Sequence, residues 1–545
     1  MKGCVITFAP AYPTLRHLGN IILFREYIYT EKRSLGPMPH PIVDAIISGD
    51  ITDEAALQKA KKDFASTQGL SSLPSNADIL STCTPEERCL VEDFLRMKPT
   101  RTLSGVAVVA VMTSPHDCPH GRCSYCPGGT TIGTAQSYTG HEPAAMRASQ
   151  NDFDPYEQTL NRILALEEIG HHTDKVDLII MGGTFTSRDK EYKEWFVKRC
   201  LDAMNGCSSE SLSEAQDINS SAPHRCVGLT VETRPDIFTE DDMDESTLLG
   251  ATRVELGVQT VYDNILEGVK RGHGVLETKN STKLAKDRGL KICYHMMPGL
   301  PGSTPEMDFD AFKEIYSSED FKPDMVKIYP TLVVEGTELY ESWAKGDYNP
   351  LETKDAADLV SRIKEITPSW VRIQRVQRDI PSKLVTAGVK HSNLRQIAAG
   401  VLEGQGKKCM CIRCREIGRN KYDGTAEMKR NIITYNASGG IEAFISLEID
   451  SWLVGFARLR KPSPESPFSG SALLRELKVF GPEALIGEPG EWQHRGWGKH
   501  LVELAEEQGR KWGMELLRVT TGVGVREYYS KMGYDLVGMG MEKKL

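Results

Sequence analysis

The stretch GVAVVAVMTSPHDCPHGRCSYCPGG, residues 105–129, joins two signals that decide the fold. Its first third is apolar and β-branched, the pattern of a strand buried on both faces. The remainder is a Gly- and Pro-rich loop with Cys118, Cys123 and Cys126 inside nine positions. A disulfide uses cysteines in pairs, and a tetrahedral zinc site usually takes four ligands. Three thiolates on one loop suit a 4Fe–4S cluster that leaves its fourth iron open to a substrate or cofactor.

Working outward, similar apolar runs recur: KVDLIIMGG (175–183), CVGLTVETRPD (226–236), TRVELGVQT (252–260), GLKICYHMMPG (289–299) and DMVKIYPTLV (324–333). Helical stretches such as 154–170 and 189–206 lie between them. Six βα units predict a parallel α/β barrel or partial barrel, with its chemistry at the C-terminal ends of the strands. The cysteine loop comes directly after the first strand, as that chemistry requires. The loop resembles that of the radical S-adenosylmethionine superfamily, with Cys-x4-Cys-x2-Cys where Cys-x3-Cys-x2-Cys is usual. MGGT (181–184) ends the second strand, where that superfamily usually has a Gly-Gly-Glu stretch for the cofactor's amino group. Gly182 and Gly183, with Glu232 and Gln259 at the ends of the third and fourth strands, are expected to share one cofactor site at the barrel mouth.

Composition bounds the rest. The chain has 545 residues, 40% hydrophobic and 26% charged, which predicts a soluble protein of three or four domains. Its longest apolar run, 106–112, is too short to cross a bilayer, and residues 1–31 lack the pattern of a signal peptide. Thirteen cysteines then suggest a reducing cytoplasm, with metal or redox chemistry. The net charge of −9 hides a contrast. Residues 371–430 hold 14 Lys/Arg and 5 Asp/Glu, a balance of +9, so the other 485 residues carry −18. Such a block is the electrostatic footprint of a polyanion site. Within it, KKCMCIRCREIGR (407–419) places Cys409, Cys411 and Cys414 as candidate zinc ligands, with His391 or water as the fourth.

The termini differ from the centre. Residues 1–40 have no clear period and read as an extension. From Pro41 to about residue 95 short helices are expected, the second started by Thr52 with Asp53 and Glu54 in its first turn. From residue 431 alternating strands return, and QHRGWG (493–498) opens an amphipathic helix. The hexapeptide resembles the Q/R-x-x-G-x-G/A turn of the GNAT acetyltransferases, in which glycines expose backbone N–H groups and the helix N-terminus holds a pyrophosphate. Gln493, Gly496 and Gly498 are its key positions. Tyr528 and Tyr529 fall where that family commonly has a tyrosine near the sulfur of acetyl-CoA.

Radical chemistry and acetyl-CoA binding on one chain resemble one family, the catalytic subunit of Elongator, in its archaeal and bacterial form. The resemblance runs from about Pro41 to Leu545 and includes KPTRTLSGVAVVAVM, CSYCPGG, QSYTGHEPAAMRA, VETRPD, VELGVQT, HMMPGLPG, KIYPTLVVEGTELY, RVQRDIP and RELKVFG. It implies a partial parallel radical-S-adenosylmethionine barrel and a C-terminal GNAT α/β domain, behind a small helical N-terminal region. The expected boundaries are 1–40 extension, 41–95 helical tRNA-binding region, 96–370 barrel, 371–430 basic linker with a zinc site, and 431–545 GNAT domain. The implied activity is a tRNA wobble-uridine carboxymethyl synthase that uses acetyl-CoA. Cys118, Cys123 and Cys126 carry over as cluster ligands. Lys175, Glu476, Leu477, Lys478, Val479, Trp497, Gly498, Lys499 and Tyr529 carry over as acetyl-CoA contacts, with Tyr529 also as catalytic residue. The implied partners are a tRNA anticodon loop and an external electron donor, and the choice between a monomer and a homodimer is left open. A protein lysine acetyltransferase with a vestigial barrel is the alternative, and a non-catalytic tRNA scaffold a third; the intact cysteine loop and MGGT turn disfavour both.

Overall fold

The apolar runs become strands of one parallel sheet, because helical crossovers cover them. The computed structural model describes residues 40–545 apart from 420, 421, 423–425, 483 and 489; the expected extension 1–40 lies outside the described residues except for His40. The strands are β1 (Ala107–Met112), β2 (Lys175–Met181), β3 (Arg225–Thr233), β4 (Arg253–Gln259), β5 (Lys291–Met296) and β6 (Met325–Ile328). A short antiparallel pair, β7 (Val333–Val334) and β9 (Val385–Ala387), flanks β8 (Arg372–Val376). The sheet order is β1-β2-β3-β4-β5-β6-β8, and every neighbouring pair is parallel. It is thus a seven-stranded partial barrel in which β1 and β8 are the two edges.

The seventh strand falls inside the segment read as a basic linker. Its sequence, RIQRV, has too many charges to resemble a buried strand. Ile373 and Val376 nevertheless pack into the barrel's hydrophobic core, while Arg372 and Gln374 line a cavity. The lumen is polar, so a charged strand satisfies it.

The second sheet joins β10 (Lys429–Ala437), β11 (Gly440–Ile449), β12 (Trp452–Lys461), β13 (Ser471–Val479), β14 (Leu516–Val519), β15 (Asp535–Val537) and β16 (Gly540–Lys544) in the order β10-β11-β12-β13-β14-β16-β15. The helix Trp497–Lys511 buries Leu501, Val502, Leu504 and Ala505 against it. Strands β13 and β14 pair in parallel only from Ser471 to Leu474. Beyond that point they diverge, which leaves the β14-facing edge of Glu476–Val479 open.

An ion network welds this sheet to the barrel. Arg460 pairs with Asp287 at 2.6 Å, and Arg475 pairs with Asp324 at 2.6 Å and Glu442 at 2.8 Å. Arg458 pairs with Glu476 at 2.8 Å. All three guanidinium groups are fully buried. Burial works against the charge of Asp324, but Arg475, Arg458 and Lys286 outweigh it and hold the carboxyl far below its usual range. Such networks add little net stability, because desolvation is costly, but an unpaired member costs several kcal/mol. They therefore fix one arrangement of the two sheets.

Residues 40–98 and 168–171 belong to a separate compact unit. Its helices, Pro41–Ile47, Glu54–Gln68, Asn76–Thr82 and Pro85–Leu95, close over Ile42, Leu57, Ile79, Val91 and Leu95. Ser75 and Thr84 start the last two with full capping boxes. The second helix is capped by Asp53, which accepts the Ala56 N–H at 2.8 Å, and not by Thr52 as expected. A carboxylate is the stronger acceptor at that position.

Candidate active site

The cysteine loop closes over the C-terminal ends of the barrel strands. Cys118, Cys123 and Cys126 are all buried, and each sulfur has a polar neighbour. Thr184 Oγ1 lies 3.3 Å from Cys118 Sγ, Gln136 Nε2 donates to Cys126 Sγ at 3.1 Å, and Arg271 Nη1 donates to Cys123 Sγ at 3.6 Å. Burial pushes the Cys118 thiol up, and Thr184 and Arg234 partly offset that. His120 Nε2 accepts from Arg234 at 2.8 Å; burial and that arginine push its pKa down to about 4 and keep it neutral. Donors aimed at sulfurs are what thiolate ligands of an anionic cluster need. The donor set therefore fits a 4Fe–4S cluster.

The MGGT turn meets this loop. Gly182 and Gly183 have φ of +147° and +82°, and a Cβ at Gly183 would stand 2.8 Å from the Gln136 carbonyl oxygen. Only glycine lets the backbone turn that close to the loop. The Gly182 N–H donates to Glu232 at 3.3 Å, and Tyr138 Oη donates to the same oxygen at 2.8 Å. Gln259 has φ of +72°, and its Oε1 is buried without a hydrogen-bond partner. Glu232, Gln259, Gly183 and Cys118 line one pocket with Tyr138 and Arg378. The sequence-predicted residues thus converge, and the orphaned Gln259 oxygen and the Glu232 carboxylate suit the amino and hydroxyl groups of S-adenosylmethionine.

Sequence reasoning missed what lies beneath. Lys327 pairs with Glu255, which also accepts from His295 Nε2 at 2.8 Å. Burial opposes the Glu255 charge, but Lys327, His295 and Arg253 hold the carboxyl well below its usual range. Glu255 and His295 themselves line the pocket, and Lys327 pairs with Glu255 there. For Lys327 a signal was available, since it is the lone polar residue in the apolar strand MVKI; Glu255 and His295 share their strands with other polar residues and stand out less. Arg271, Gln136 and Tyr138, which sit in loops, gave no such signal.

The second pocket lies between the opposite, N-terminal ends of the barrel strands and the C-terminal sheet. Its cavity measures about 550 Å³. Glu476, Leu477, Lys478 and Val479 on the open edge of β13 line it. So do Gln493, Gly496, Trp497, Gly498 and Lys499 at the helix start. Gly496 has φ of +85°, and the Trp497 indole N–H is buried without a partner. An open strand edge can pair with amides, and a helix N-terminus stabilises phosphate, so the residues fit coenzyme A. Lys175 Nζ donates to Gln493 Oε1 at 3.0 Å and to the Ala484 carbonyl oxygen at 2.6 Å, which ties it to this loop. Tyr528 and Tyr529 both line the pocket, but Tyr529 is 5% exposed and packs in the sheet core, whereas Tyr528 is 39% exposed. The Tyr528 hydroxyl faces Gly498, where an added Cβ would be 2.7 Å away. Burial pushes the Tyr528 phenol up to about 12, and it pushes Tyr529 further, so both stay protonated.

One strand connects the two sites. Lys175 starts β2 at the second pocket, and Met181 ends it at the first. Six residue steps at about 3.3 Å separate them by about 20 Å.

In the basic segment the sulfurs of Cys409, Cys411 and Cys414 lie within 4.8 Å of one another. The other two thiols hydrogen-bond Cys411 and hold it well below the usual thiol range, while Cys409 is pushed up. Three convergent sulfurs fit zinc, and metal binding would release the thiol protons. His391 is exposed and is not part of this cluster. The basic block itself divides. Arg372 pairs with Glu416, and buried Arg415 pairs with Glu448 at 3.0 Å, so both serve the fold. Lys383, Lys390, Lys407 and Lys408 are exposed, and Arg375 and Arg378 reach the cysteine pocket. Among the described residues no helix is long and apolar enough to cross a membrane.

Known proteins match this layout along nearly the whole chain. Family models for the ELP3 N-terminal domain, the Radical SAM superfamily and the Radical SAM C-terminal domain match residues 39–103, 112–314 and 323–403. The tRNA uridine(34) acetyltransferase of Methanocaldococcus jannaschii is 49% identical over 524 residues, 92% of this chain and 96% of the relative. Elongator complex protein 3 of Homo sapiens is 40% identical over 534 residues, 94% of this chain and 97% of the relative. The solved structure of Methanocaldococcus infernus Elp3 lacking residues 1–46 superposes with a TM-score of 0.72 at 46% identity, covering 81% of this chain and all of that one. With the cysteine loop, the glycine turn and this span of identity together, the chain belongs to the Elongator complex protein 3 family.

Proposed function

We propose that the chain is a cytoplasmic tRNA wobble-uridine carboxymethyl synthase, an acyltransferase that uses acetyl-CoA at one end of a barrel and S-adenosylmethionine at the other. The observation that carries this reading is the pair of pockets at opposite ends of one barrel, on a chain whose relatives are named tRNA uridine(34) acetyltransferases. Bound there, a 4Fe–4S cluster and S-adenosylmethionine supply a 5′-deoxyadenosyl radical, and acetyl-CoA supplies the methyl group it attacks and the two carbons of the carboxymethyl group.

The chain's own residues orient and shield. Cys118, Cys123 and Cys126 hold the cluster, with Gln136 and Arg271 donating to the last two sulfurs. Gly182, Gly183, Glu232 and Gln259 hold S-adenosylmethionine. The turn at Gln493–Lys499, the edge at Glu476–Val479 and Lys175 hold coenzyme A. Tyr528 and Tyr529, both protonated, stand where a hydroxyl can give its proton to the departing thiolate. Arg375, Arg378 and the exposed lysines 383, 390, 407 and 408 face an anticodon loop, whose unstacked uridine enters the mouth. An external donor supplies the electrons.

The test is anaerobic reconstitution with iron, then nucleoside mass spectrometry of tRNA incubated with acetyl-CoA, S-adenosylmethionine and reductant. 5-Carboxymethyluridine is expected from the wild type and from neither Cys123→Ala nor Gly496→Glu. An equimolar mixture of the two variants is expected to stay inactive, since each lacks one half of the reaction. Acetyl transfer to protein lysines that survives Cys123→Ala, with no modified uridine from the wild type, would replace this reading by a lysine acetyltransferase.

A further inference from the structure

A smaller chamber of about 270 Å³ opens beside the coenzyme A pocket, under the N-terminal end of the barrel. The two share Ser104, Val106, Asp177, Arg253, Glu476 and Lys478, while the glycine turn lines only the larger one. Seven cations line the chamber against two carboxylates, Asp177 and Glu476. Four cations are paired: Arg253 with Asp177 at 3.4 Å, Arg458 with Glu476 at 2.8 Å, and Arg372 and Arg419 with Glu416. The side chains of the other three, Arg101, Arg413 and Lys478, make no hydrogen bond or close ion pair among the described residues, although Asp177, Glu416 and Glu476 act on the charge of Lys478 from further off and Glu416 on that of Arg413.

Two further donors in the wall make no hydrogen bond, although each has a carboxylate in ion-pair range. Arg253 Nε lies 3.7 Å from Glu255 Oε1 and Arg458 Nη1 lies 3.6 Å from Asp324 Oδ1, on residues 5% and 1% exposed. Arg101 is exposed and meets water, whereas Arg413 and Lys478 are half-buried, where an unmet charge is costly. The rest of the wall is apolar, with Val106, Val108, Met325 and Phe456. Val108 is 38% exposed although it lies mid-strand, because it faces this chamber. Guanidinium forks suit a planar carboxylate, and the apolar side suits a short alkyl group. A tetrahedral phosphate would leave that side unmatched.

We propose that this chamber binds a small carboxylate of the acetate class, the acid released when acetyl-CoA in the adjoining pocket is hydrolysed by water instead of giving its two carbons to uridine. In that step a water oxygen adds to the thioester carbon and the C–S bond breaks. The thiolate takes one water proton and the other goes to solvent, so acetyl-CoA and water give acetate, coenzyme A thiol and a proton. The inference rests on acetyl-CoA occupying the larger pocket. Burial and Arg372 push Lys478 down to about 8, and an anion beside it would raise it again.

The experiment uses the full chain and needs no iron. Binding of ¹³C-acetate is measured by NMR line broadening at constant ionic strength, with chloride as the balancing salt. Saturable binding is expected in the wild type, about tenfold weaker in Arg101→Gln and in Arg413→Gln, and within about threefold of wild type in Arg413→Lys. Neither Arg101 nor Arg413 lines the coenzyme A pocket, so coenzyme A affinity, measured by calorimetry, should change less than about threefold in both Gln variants. Acetate binding that is unchanged in both Gln variants, or that chloride displaces equally well, would overturn the proposal. Tighter binding of inorganic phosphate than of acetate would overturn the carboxylate assignment. Failure of the wild type to bind coenzyme A would instead sink the functional reading, and the acetate titration would still decide the chamber.

Discussion

Replacing Arg271 by methionine removes a cation bound directly to the cysteine loop. The guanidinium is buried; Nη2 donates to the Gly257 carbonyl oxygen at 2.7 Å and Nη1 to Cys123 Sγ at 3.6 Å. Burial works against its charge, but Tyr125 and Cys123 hold its pKa above the usual arginine value. A unit charge at 3.6 Å interacts by about 4.6 kcal/mol at an effective dielectric constant of about 20. The electron gained on reduction spreads over a whole cluster, at roughly twice that separation, which leaves about 2.3 kcal/mol, or about 100 mV for one electron. The cation favours the more negative, reduced state. Arg271→Met should therefore lower the cluster midpoint potential by about 100 mV, whereas Arg271→Lys should stay within about 30 mV of wild type. The assay is a redox titration of the anaerobically reconstituted full chain, read by electron paramagnetic resonance. An assembled cluster in the Met variant with a midpoint within about 30 mV of wild type would refute the reasoning.

The same geometry sets three further outcomes. Lys327→Met leaves Glu255 buried without its main partner and should destabilise the protein by about 3–5 kcal/mol, whereas Glu255→Gln with Lys327→Met should recover most of that loss in denaturant titrations; equal losses in the single and double variants would contradict the pairing. His273 accepts from Arg271 Nε at 3.1 Å, and burial and Arg271 push its pKa down from 6.5 to about 4. A depressed pKa contributes stability that is present above pH 6.5 and lost as pH falls toward 4, up to about 3 kcal/mol, so His273→Gln should flatten the acid limb of a melting-temperature profile. Gly183→Ala forces a left-handed backbone and meets the Gln136 carbonyl, a strain of about 1–3 kcal/mol, and should weaken S-adenosylmethionine binding in equilibrium dialysis about tenfold; an unchanged affinity would remove the turn from the site.

The strand-end residues were legible because parallel strands advertise themselves. Each is a short apolar run, and the loop at its C-terminal end must lie at the same mouth as the others. Cys118, Gly183, Glu232 and Gln259 line one pocket for that reason alone. β8 was illegible by the same rule: Arg372, Gln374 and Arg375 look like a polyanion surface until the lumen they face is known. Within the basic block Arg372 and Arg415 are fold-bearing, since they direct their charge to Glu416 and Glu448. Net charge counts cations without revealing which are already paired.

The choice between the two tyrosines shows the same boundary. Family position favoured Tyr529, and both rings line the pocket, Tyr529 from the sheet core and Tyr528 from its exposed side against Gly498. Sequence by itself determined the parallel barrel, the cysteine loop, the glycine turn and the residue types that each chemistry needs, because these depend on local periodicity and spacing. Tertiary structure alone decided that the two pockets open at opposite ends of one barrel, that Lys327 and Glu255 pair across its lumen, and that Arg101, Arg413 and Lys478 meet unpaired in one chamber. Those relations join residues up to hundreds of positions apart; the curl of the parallel sheet sets the Lys327–Glu255 pair, and the buried Arg458, Arg460 and Arg475 network, which seats one sheet against the other, sets the chamber, and no local pattern encodes either.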